Sequence, residues 1–95
     1  MESWENPSKH ILLNHIGSRI AYYRNLRGLT QIDLAVIVNV SRSTIGRIER
    51  GQYNENLSIA TLLDIANGLQ VSINLLINIP DDDIRLIQNK LNKKK

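Results

Sequence analysis

The sequence predicts an all-α fold, a five-helix domain followed by an additional C-terminal helix. Apolar residues recur at spacings of three and four through most of the chain, which is the period of a helix face. Both prolines, Pro7 and Pro80, lie near the ends, so no proline interrupts the long middle segment. With 95 residues, 42% of them hydrophobic, the chain can form one core. We therefore expect a tail (1–7), a helical domain (8–79) and a C-terminal helix with a basic tail (80–95).

The first helix is predicted from an apolar stripe that begins after Ser8. The members of the stripe share one helical face: Ile11, Leu12, Ile16, Ile20, Tyr23 and Leu26. Gly28 should end this helix, since glycine commonly takes the left-handed conformation that follows a helix. Gly17 lies inside the run and costs about 1 kcal/mol relative to alanine, so a break or kink is expected there.

The second and third helices are predicted from capping residues on either side of a short corner. Thr30 and Asp33 have the spacing of a capping box, with aspartate in place of the usual glutamate. Asn39 should form the corner, because asparagine tolerates left-handed backbone angles. Ser41 is a favourable N-cap for a third helix that runs from Arg42 to about Arg50 and ends at Gly51.

The later helices are marked by similar signals. Ser58 is an N-cap for a fourth helix that we expect to end at Gly68, and Ser72 should cap a short fifth helix. After Pro80, the acidic run 81–83 should begin the last helix, because carboxylates favour the positive end of a helix.

Several classes of protein are excluded or disfavoured by composition. The chain has no cysteine, which excludes disulfides and thiolate metal sites and fits a reducing compartment. No apolar run approaches the roughly 18 residues of a membrane span, so we expect a soluble, cytoplasmic protein. His10 and His15 are five residues apart and face different sides of a helix, so no metal or other cofactor is expected. Neither a catalytic triad-like set nor a glycine-rich phosphate loop is present, so the sequence predicts no enzymatic activity.

Basic residues are concentrated in one part of the chain. The net charge is only +3, but residues 17–54 contain six arginines against two acids. These residues are Arg19, Arg24, Arg27, Arg42, Arg47 and Arg50, against Asp33 and Glu49. An excess of arginine fits a polyanionic partner, since the guanidinium pairs with phosphate through two hydrogen bonds. The charge pattern fits equally well with arginines that only keep the protein surface hydrated and bind no partner.

The predicted third helix has two unlike faces. At about 100° per residue, Ile45 and Ile48 lie opposite an arc that contains Arg42, Ser43, Gly46, Arg47 and Arg50. Arginine can donate two hydrogen bonds to guanine, and serine can serve a base or a phosphate. Glycine at the centre of this arc would allow close approach to the floor of a DNA groove. These are the side chains that base recognition needs, so we predict that this face of the helix lies in a DNA groove, where Arg50 contacts the backbone.

The segment 28–51, GLTQIDLAVIVNVSRSTIGRIERG, resembles the helix-turn-helix of the lambda-repressor-like regulators, also called the xenobiotic-response-element family. The resemblance covers residues 16–77 and rests on LTQ, LA, STI and IERG in register. It implies a second helix over Gln31–Val38 and a recognition helix over Arg42–Arg50. It also implies that Arg42, Ser43 and Arg47 contact base edges. It also implies that Gln31 contacts the phosphate backbone and that Thr44 contacts the backbone or a base. Asn39 departs from the family, which usually has glycine there.

Two further features follow from the resemblance. Arg24 and Glu49 match a buried salt bridge that joins the first helix to the end of the recognition helix, although Arg24 could instead contact phosphate. The loop 52–57 resembles that of the small controller proteins of restriction-modification systems.

The predicted function is that of a sequence-specific DNA-binding transcriptional regulator that acts as a homodimer on its own or a neighbouring promoter. A single recognition helix contacts few base pairs, so two copies on half-sites about 34 Å apart would supply specificity. The predicted dimer surface consists of apolar residues near the C-terminus: Leu76, Ile77, Ile79, Ile84, Ile87 and Leu91. The alternatives are an antitoxin that binds both DNA and a toxin, and an interaction module that has the fold without binding DNA. Contact with RNA polymerase would distinguish an activator from a repressor, which the sequence does not decide.

Overall fold

The computed structural model describes residues 6–52 and 57–79. Over these ranges the chain forms five helices: α1 (Lys9–Leu26), α2 (Gln31–Val38), α3 (Arg42–Glu49), α4 (Ile59–Leu69) and α5 (Asn74–Ile77). The all-α prediction and the order of the five helices are confirmed. The predicted helix over 80–95 lies outside the described residues, as do most of the predicted tail and loop. None of the described helices is both long enough and apolar enough to span a bilayer.

Side-chain caps begin the first four helices. The hydroxyls of Ser8, Thr30, Ser41 and Ser58 each accept a hydrogen bond from the backbone N–H three residues further on. At α2 the Asp33 carboxylate also accepts from the Thr30 backbone N–H, at 2.8 Å, which completes the predicted capping box. That backbone hydrogen bond holds the pKa of the Asp33 carboxyl below its ordinary value. The predicted starts of α2, α3 and α4 are therefore confirmed.

Left-handed residues end the helices where the backbone must turn. Gly28 follows α1 with φ 71°, and Gly51 follows α3 with φ 70°. Asn39 ends α2 at φ 62° and ψ 49°, as the sequence predicts for the corner. A left-handed asparagine thus takes the place of the glycine that the family usually has.

The predicted end of α4 at Gly68 is wrong. The helix continues through Gly68 to Leu69, and Gln70 takes the left-handed conformation with φ 59°. A Cβ atom at Gly68 would lie 2.9 Å from the Ile37 Cγ2 atom on α2. The glycine therefore allows α2 and α4 to pack closely instead of ending the helix.

The break or kink predicted at Gly17 is also wrong. α1 is one helix of 18 residues, and Gly17 is buried within it. A Cβ atom there would lie 2.6 Å from the Glu49 carbonyl oxygen and would also clash with that of Ile48. Packing of the α3 end against α1 therefore requires a residue without a side chain, and this contact offsets the low helix propensity of glycine.

The core is aliphatic and lies between α1 and the helices that pack on it. α1 contacts α3 and α5, and α2 contacts α3 and α4. The fully buried large side chains are Ile20, Leu34, Ile45, Ile48, Ile65, Leu69 and Leu76. Leu26 was expected on the buried stripe of α1 but is 62% exposed, because the stripe has turned away from the core at the last turn of the helix.

The prediction that Leu76 belongs to a dimer surface is wrong. Its side chain is 0% exposed and packs in the hydrophobic core, because α5 lies against α1. Ile77 is 38% exposed and Ile79 is half-buried. The other three residues predicted for this surface, Ile84, Ile87 and Leu91, lie outside the described residues.

Replacing Gly17 by alanine should destabilise the domain. The added methyl group would meet the backbone carbonyls of Ile48 and Glu49, which cannot rotate away as a side chain could. Overpacking of this kind costs about 1–3 kcal/mol, of which the better helix propensity of alanine recovers about 1 kcal/mol. Denaturant unfolding of Gly17→Ala should show the loss, whereas Ser18→Ala, exposed on the same helix, should show none. A Gly17→Ala variant more stable than the unchanged chain, as helix propensity alone would give, would contradict this packing.

Candidate nucleic-acid interface

α3 presents an apolar face to the core and a cationic face outward. Ile45 is 0% exposed and Ile48 is 1% exposed. Four polar residues predicted for the opposite arc are all exposed: Arg42, Ser43, Arg47 and Arg50. The helix is therefore anchored by aliphatic packing on one side, and its arginines lie on the solvent-exposed side.

The corner between α2 and α3 is closed by backbone hydrogen bonds. The N–H of Asn39 donates to the Val36 carbonyl at 3.3 Å, and that of Val40 donates to the Ala35 carbonyl at 3.0 Å. Both bonds satisfy carbonyls that the end of a helix leaves without partners. The left-handed Asn39 thus fixes the direction in which α3 leaves α2.

Hydroxyl groups cluster at the start of α3. The Ser41 Oγ atom accepts from the Thr44 backbone N–H at 3.1 Å and lies 2.8 Å from the Thr44 Oγ1 atom. It also lies 3.2 Å from the Ser43 Oγ atom. Ser43 is exposed, whereas Thr44 is half-buried, so Ser43 presents the more accessible hydroxyl to a partner. The N-cap therefore orients the two side chains for which DNA contacts were predicted.

A hydrogen-bonded network around Glu49 joins α1, α2 and α3. Arg24 donates from Nε to Glu49 Oε2 at 2.7 Å and from Nη2 to Glu49 Oε1 at 3.1 Å. Its Nη1 donates to the Leu29 carbonyl at 2.7 Å, and the Gln31 Nε2 atom donates to Glu49 Oε1 at 3.0 Å. We call Arg24, the Leu29 carbonyl, Gln31 and Glu49 the Glu49 network.

The Glu49 network is nearly closed to solvent. The ion-paired side chains of Arg24 and Glu49 are only 12% and 6% exposed. All three nitrogens of the Arg24 guanidinium donate within the protein, which favours the structural role over the alternative contact with phosphate. A two-bond arginine–carboxylate pair also fixes orientation better than a single contact does. The network therefore sets the angle of α3 on the body of the domain.

Gln31 takes part in this network, which bears on its predicted phosphate contact. The side chain is half-buried, and its Nε2 atom is bonded to Glu49. An amide nitrogen carries two hydrogens, so a second donor remains. The contact between Gln31 and phosphate stays a prediction, and the Glu49 network would hold that donor in place.

Gly46 does not belong to the exposed arc, contrary to the sequence prediction. It is buried, because side chains of its own chain lie over it. A Cβ atom at Gly46 would lie 3.2 Å from Arg50 Nη1 and 3.7 Å from Gln31 Oε1. Helical angles alone placed Gly46 beside the arginines, but they could not show that Gln31 on α2 extends over it.

Two structural residues were missed by sequence reasoning. Arg27 was counted with the basic residues, but its Nε and Nη2 atoms donate to the Leu69 and Gln70 carbonyls at 2.9 and 3.1 Å. It therefore caps the end of α4. The sequence predicts that Gly17 interrupts the helix, but its role in packing depends on the end of α3. That segment lies some thirty residues away in sequence, so no pattern of neighbouring residues indicates the contact.

The two histidines have hydrogen-bonding partners on and near α1. The His15 Nε2 atom donates to the Asn78 carbonyl at 2.9 Å and so ties the segment after α5 to α1. The ring of His10 lies next to the Asn14 side chain. Among the described residues, no three potential metal ligands cluster.

Comparisons with known proteins agree with this architecture. A family model described as "Helix-turn-helix" matches residues 20–76. The immunity repressor protein of Bacillus phage phi105 is 46% identical over 57 residues, which span 60% of this chain and 40% of that protein. An HTH-type transcriptional regulator of Methanocaldococcus jannaschii is 41% identical over 66 residues, which span 70% of this chain and 97% of that protein. The chain therefore covers less than half the length of the phage repressor but nearly all of the archaeal regulator.

A solved structure supports the same assignment. The restriction-modification controller protein C.AhdI from Aeromonas hydrophila superposes with a TM-score of 0.62 and 34% identity, over 67% of this chain and 94% of that one. This chain belongs to the helix-turn-helix family of DNA-binding transcriptional regulators. The resemblance to lambda-repressor-like regulators and to controller proteins is confirmed.

Proposed function

We propose that the chain is a sequence-specific transcriptional regulator that places α3 in the major groove of DNA and acts as a homodimer in the cytoplasm. The observation that supports this proposal most strongly is the outward arc of α3. Its arginines are exposed on a helix whose opposite face is buried and whose end is held by the Glu49 network. A rigid helix with exposed hydrogen-bond donors is what base recognition in the major groove requires.

The side chains of α3 divide into two roles in this proposal. Arg42, Ser43 and Arg47 contact base edges, where an arginine can donate two hydrogen bonds to guanine O6 and N7. Arg50 and Thr44 contact the DNA backbone, together with Gln31 at the start of α2. Backbone contacts fix the register of the protein on DNA, and base contacts supply the sequence preference.

The proposal explains the Glu49 network better than a solvated basic helix does. Three donors converge on one carboxylate that is almost fully buried, and both ions must be desolvated to form the pair. A helix whose exposed face only meets water would gain nothing from such a fixed orientation. A helix that must align several side chains with base edges depends on it.

A homodimer would double the few base pairs that one recognition helix can contact. Two copies would bind half-sites about 34 Å apart, in the promoter of this gene or of a neighbouring one. The dimer surface that we propose consists of the exposed Ile77, the half-buried Ile79 and the apolar residues Ile84, Ile87 and Leu91 of the C-terminal segment. Leu76 does not belong to this surface, because its side chain is buried in the core.

Exposed aliphatic residues favour a second candidate function, in which the chain also binds a protein such as a toxin or RNA polymerase. Ile32 and Val36 on α2 are 61% and 75% exposed, and Ile59 on α4 is 77% exposed. An antitoxin would carry out both functions.

Salt dependence distinguishes a DNA-binding protein from an interaction module that does not bind DNA. About six phosphate contacts give a slope near −5 when the logarithm of the DNA-binding constant is plotted against the logarithm of the salt concentration.

Arg47→Ala should lower the affinity for a specific DNA site by about 1–3 kcal/mol and relax the preference at one base position. The site is obtained by selection from a random DNA pool, and binding is measured on that site and on its single-base variants. Arg47→Lys is the matched control: it keeps the charge without the planar fork, so it should preserve nonspecific affinity and still lose the base preference. An equal fall of specific and nonspecific affinity in Arg47→Ala would contradict base recognition by Arg47.

Ile87→Asp combined with Leu91→Asp should convert the dimer to monomers, because two buried charges per copy would oppose an apolar interface. Sedimentation equilibrium measures the change. Ile59→Asp introduces a charge at an exposed position of α4 and should leave the dimer intact. A dimer that survives the double substitution would reject this surface.

A further inference from the structure

We infer that Gly46 is a positioning residue for DNA binding: the absence of its side chain lets the Arg50 guanidinium lie back on α3 beside Gln31. The inference deepens the proposed function and rests on it. It also replaces the sequence prediction that Gly46 itself approaches the DNA.

The space above Gly46 is occupied by the ends of two long side chains. From the point where a Cβ atom would lie, Arg50 Nη1 is at 3.2 Å and Gln31 Oε1 is at 3.7 Å. Gly46 is consequently buried although it precedes the exposed Arg47 in the same helix. The two residues proposed to contact the DNA backbone from α3 and α2 therefore both approach this one glycine.

The fold itself does not require glycine at this position. Gly46 lies within α3 and has no left-handed backbone angle, unlike Gly28 and Gly51. Its nearest neighbour is the end of a flexible, exposed arginine, whereas the neighbours of Gly17 are backbone carbonyls. Alanine is also the more favourable residue inside a helix. Glycine at this position therefore makes α3 less stable than alanine would, although the packing of the helices does not require it.

The neighbours of Gly46 show what glycine provides in return. The Arg50 Nε atom donates to Gln52 Oε1 at 3.0 Å, and Gln31 is held by its bond to Glu49. Among the described residues, the terminal nitrogens of Arg50 donate no hydrogen bond, so their donors remain for a phosphate oxygen. Glycine thus keeps these donors close to the start of α2, whose positive helix end also favours a phosphate.

A methyl group at Gly46 should therefore change stability and binding in opposite directions. The guanidinium must move by a few tenths of an ångström or take another rotamer, which disturbs its alignment with phosphate. Gly46→Ala should raise Tm by about 4 °C through helix propensity. Its affinity for DNA should fall by about threefold to tenfold, as expected for one weakened charge-assisted contact. The fall should be similar for all sequences, because phosphate contacts carry no base preference.

A double-mutant cycle tests the coupling between Gly46 and Arg50. DNA affinity and Tm are measured for the unchanged chain, Gly46→Ala, Arg50→Ala and the double variant, on the selected site and on unrelated DNA. Ser18→Ala, an exposed helix substitution away from α3, controls for a general effect of helix propensity and should not change affinity. We expect Gly46→Ala to weaken binding in the unchanged chain and to have little further effect in the Arg50→Ala background.

Three results would overturn the inference. Unchanged affinity of Gly46→Ala would show that glycine is not needed for binding, and a lowered Tm would show that the fold needs it. A full effect of Gly46→Ala in the Arg50→Ala background would show that the methyl group obstructs the DNA directly. Failure of the proposed function gives a different result. The unchanged chain would then show no salt-dependent binding, either to a selected site or to unrelated DNA.

Discussion

The arrangement of the whole domain depends on the hydrogen bonds that converge on the Glu49 carboxylate. Glu49 belongs to the last turn of α3, and its two oxygens accept from Arg24 on α1 and Gln31 on α2. The same Arg24 also bonds the Leu29 carbonyl in the connection between those two helices. Because three elements share one nearly buried ion pair with fixed hydrogen-bond directions, the pair adds a directional constraint on the angle of α3 to the aliphatic packing.

Three glycines bring the helices close enough for this arrangement to form. Gly17 lets the end of α3 approach α1, Gly68 lets α4 approach α2, and Gly46 makes room for side chains between α2 and α3. The first space is closed to a Cβ atom by backbone carbonyls, and the second by the branched side chain of Ile37. The third is closed only by the ends of Gln31 and Arg50, which is why we connect it with binding and not with folding.

The features of the fold that could be predicted from the sequence are those that depend on residues close together in the chain. The caps at Thr30, Ser41 and Ser58 and the corner at Asn39 depend on a few neighbouring residues, so the sequence predicts the starts of α2, α3 and α4 correctly. Helical periodicity likewise separates Ile45 and Ile48 from the arginines. The errors at Gly17, Gly46, Gly68 and Leu76 share one cause: periodicity gives the face of a helix but not the element that packs on it. The Arg24–Glu49 ion pair is predicted only by the family resemblance. Its two residues are 25 positions apart, so helical periodicity does not indicate their contact.

The most direct test of the central claim is the DNA-binding specificity of Glu49→Gln, measured at a temperature where the variant is fully folded. The substitution removes the charge and leaves the Arg24 guanidinium without its carboxylate, so stability should fall by about 3 kcal/mol. If the Glu49 network orients α3 for base contacts, the ratio of specific to nonspecific affinity should also fall, by about tenfold. A folded Glu49→Gln variant with the ratio of the unchanged chain would contradict the account, because the network would then contribute to stability alone.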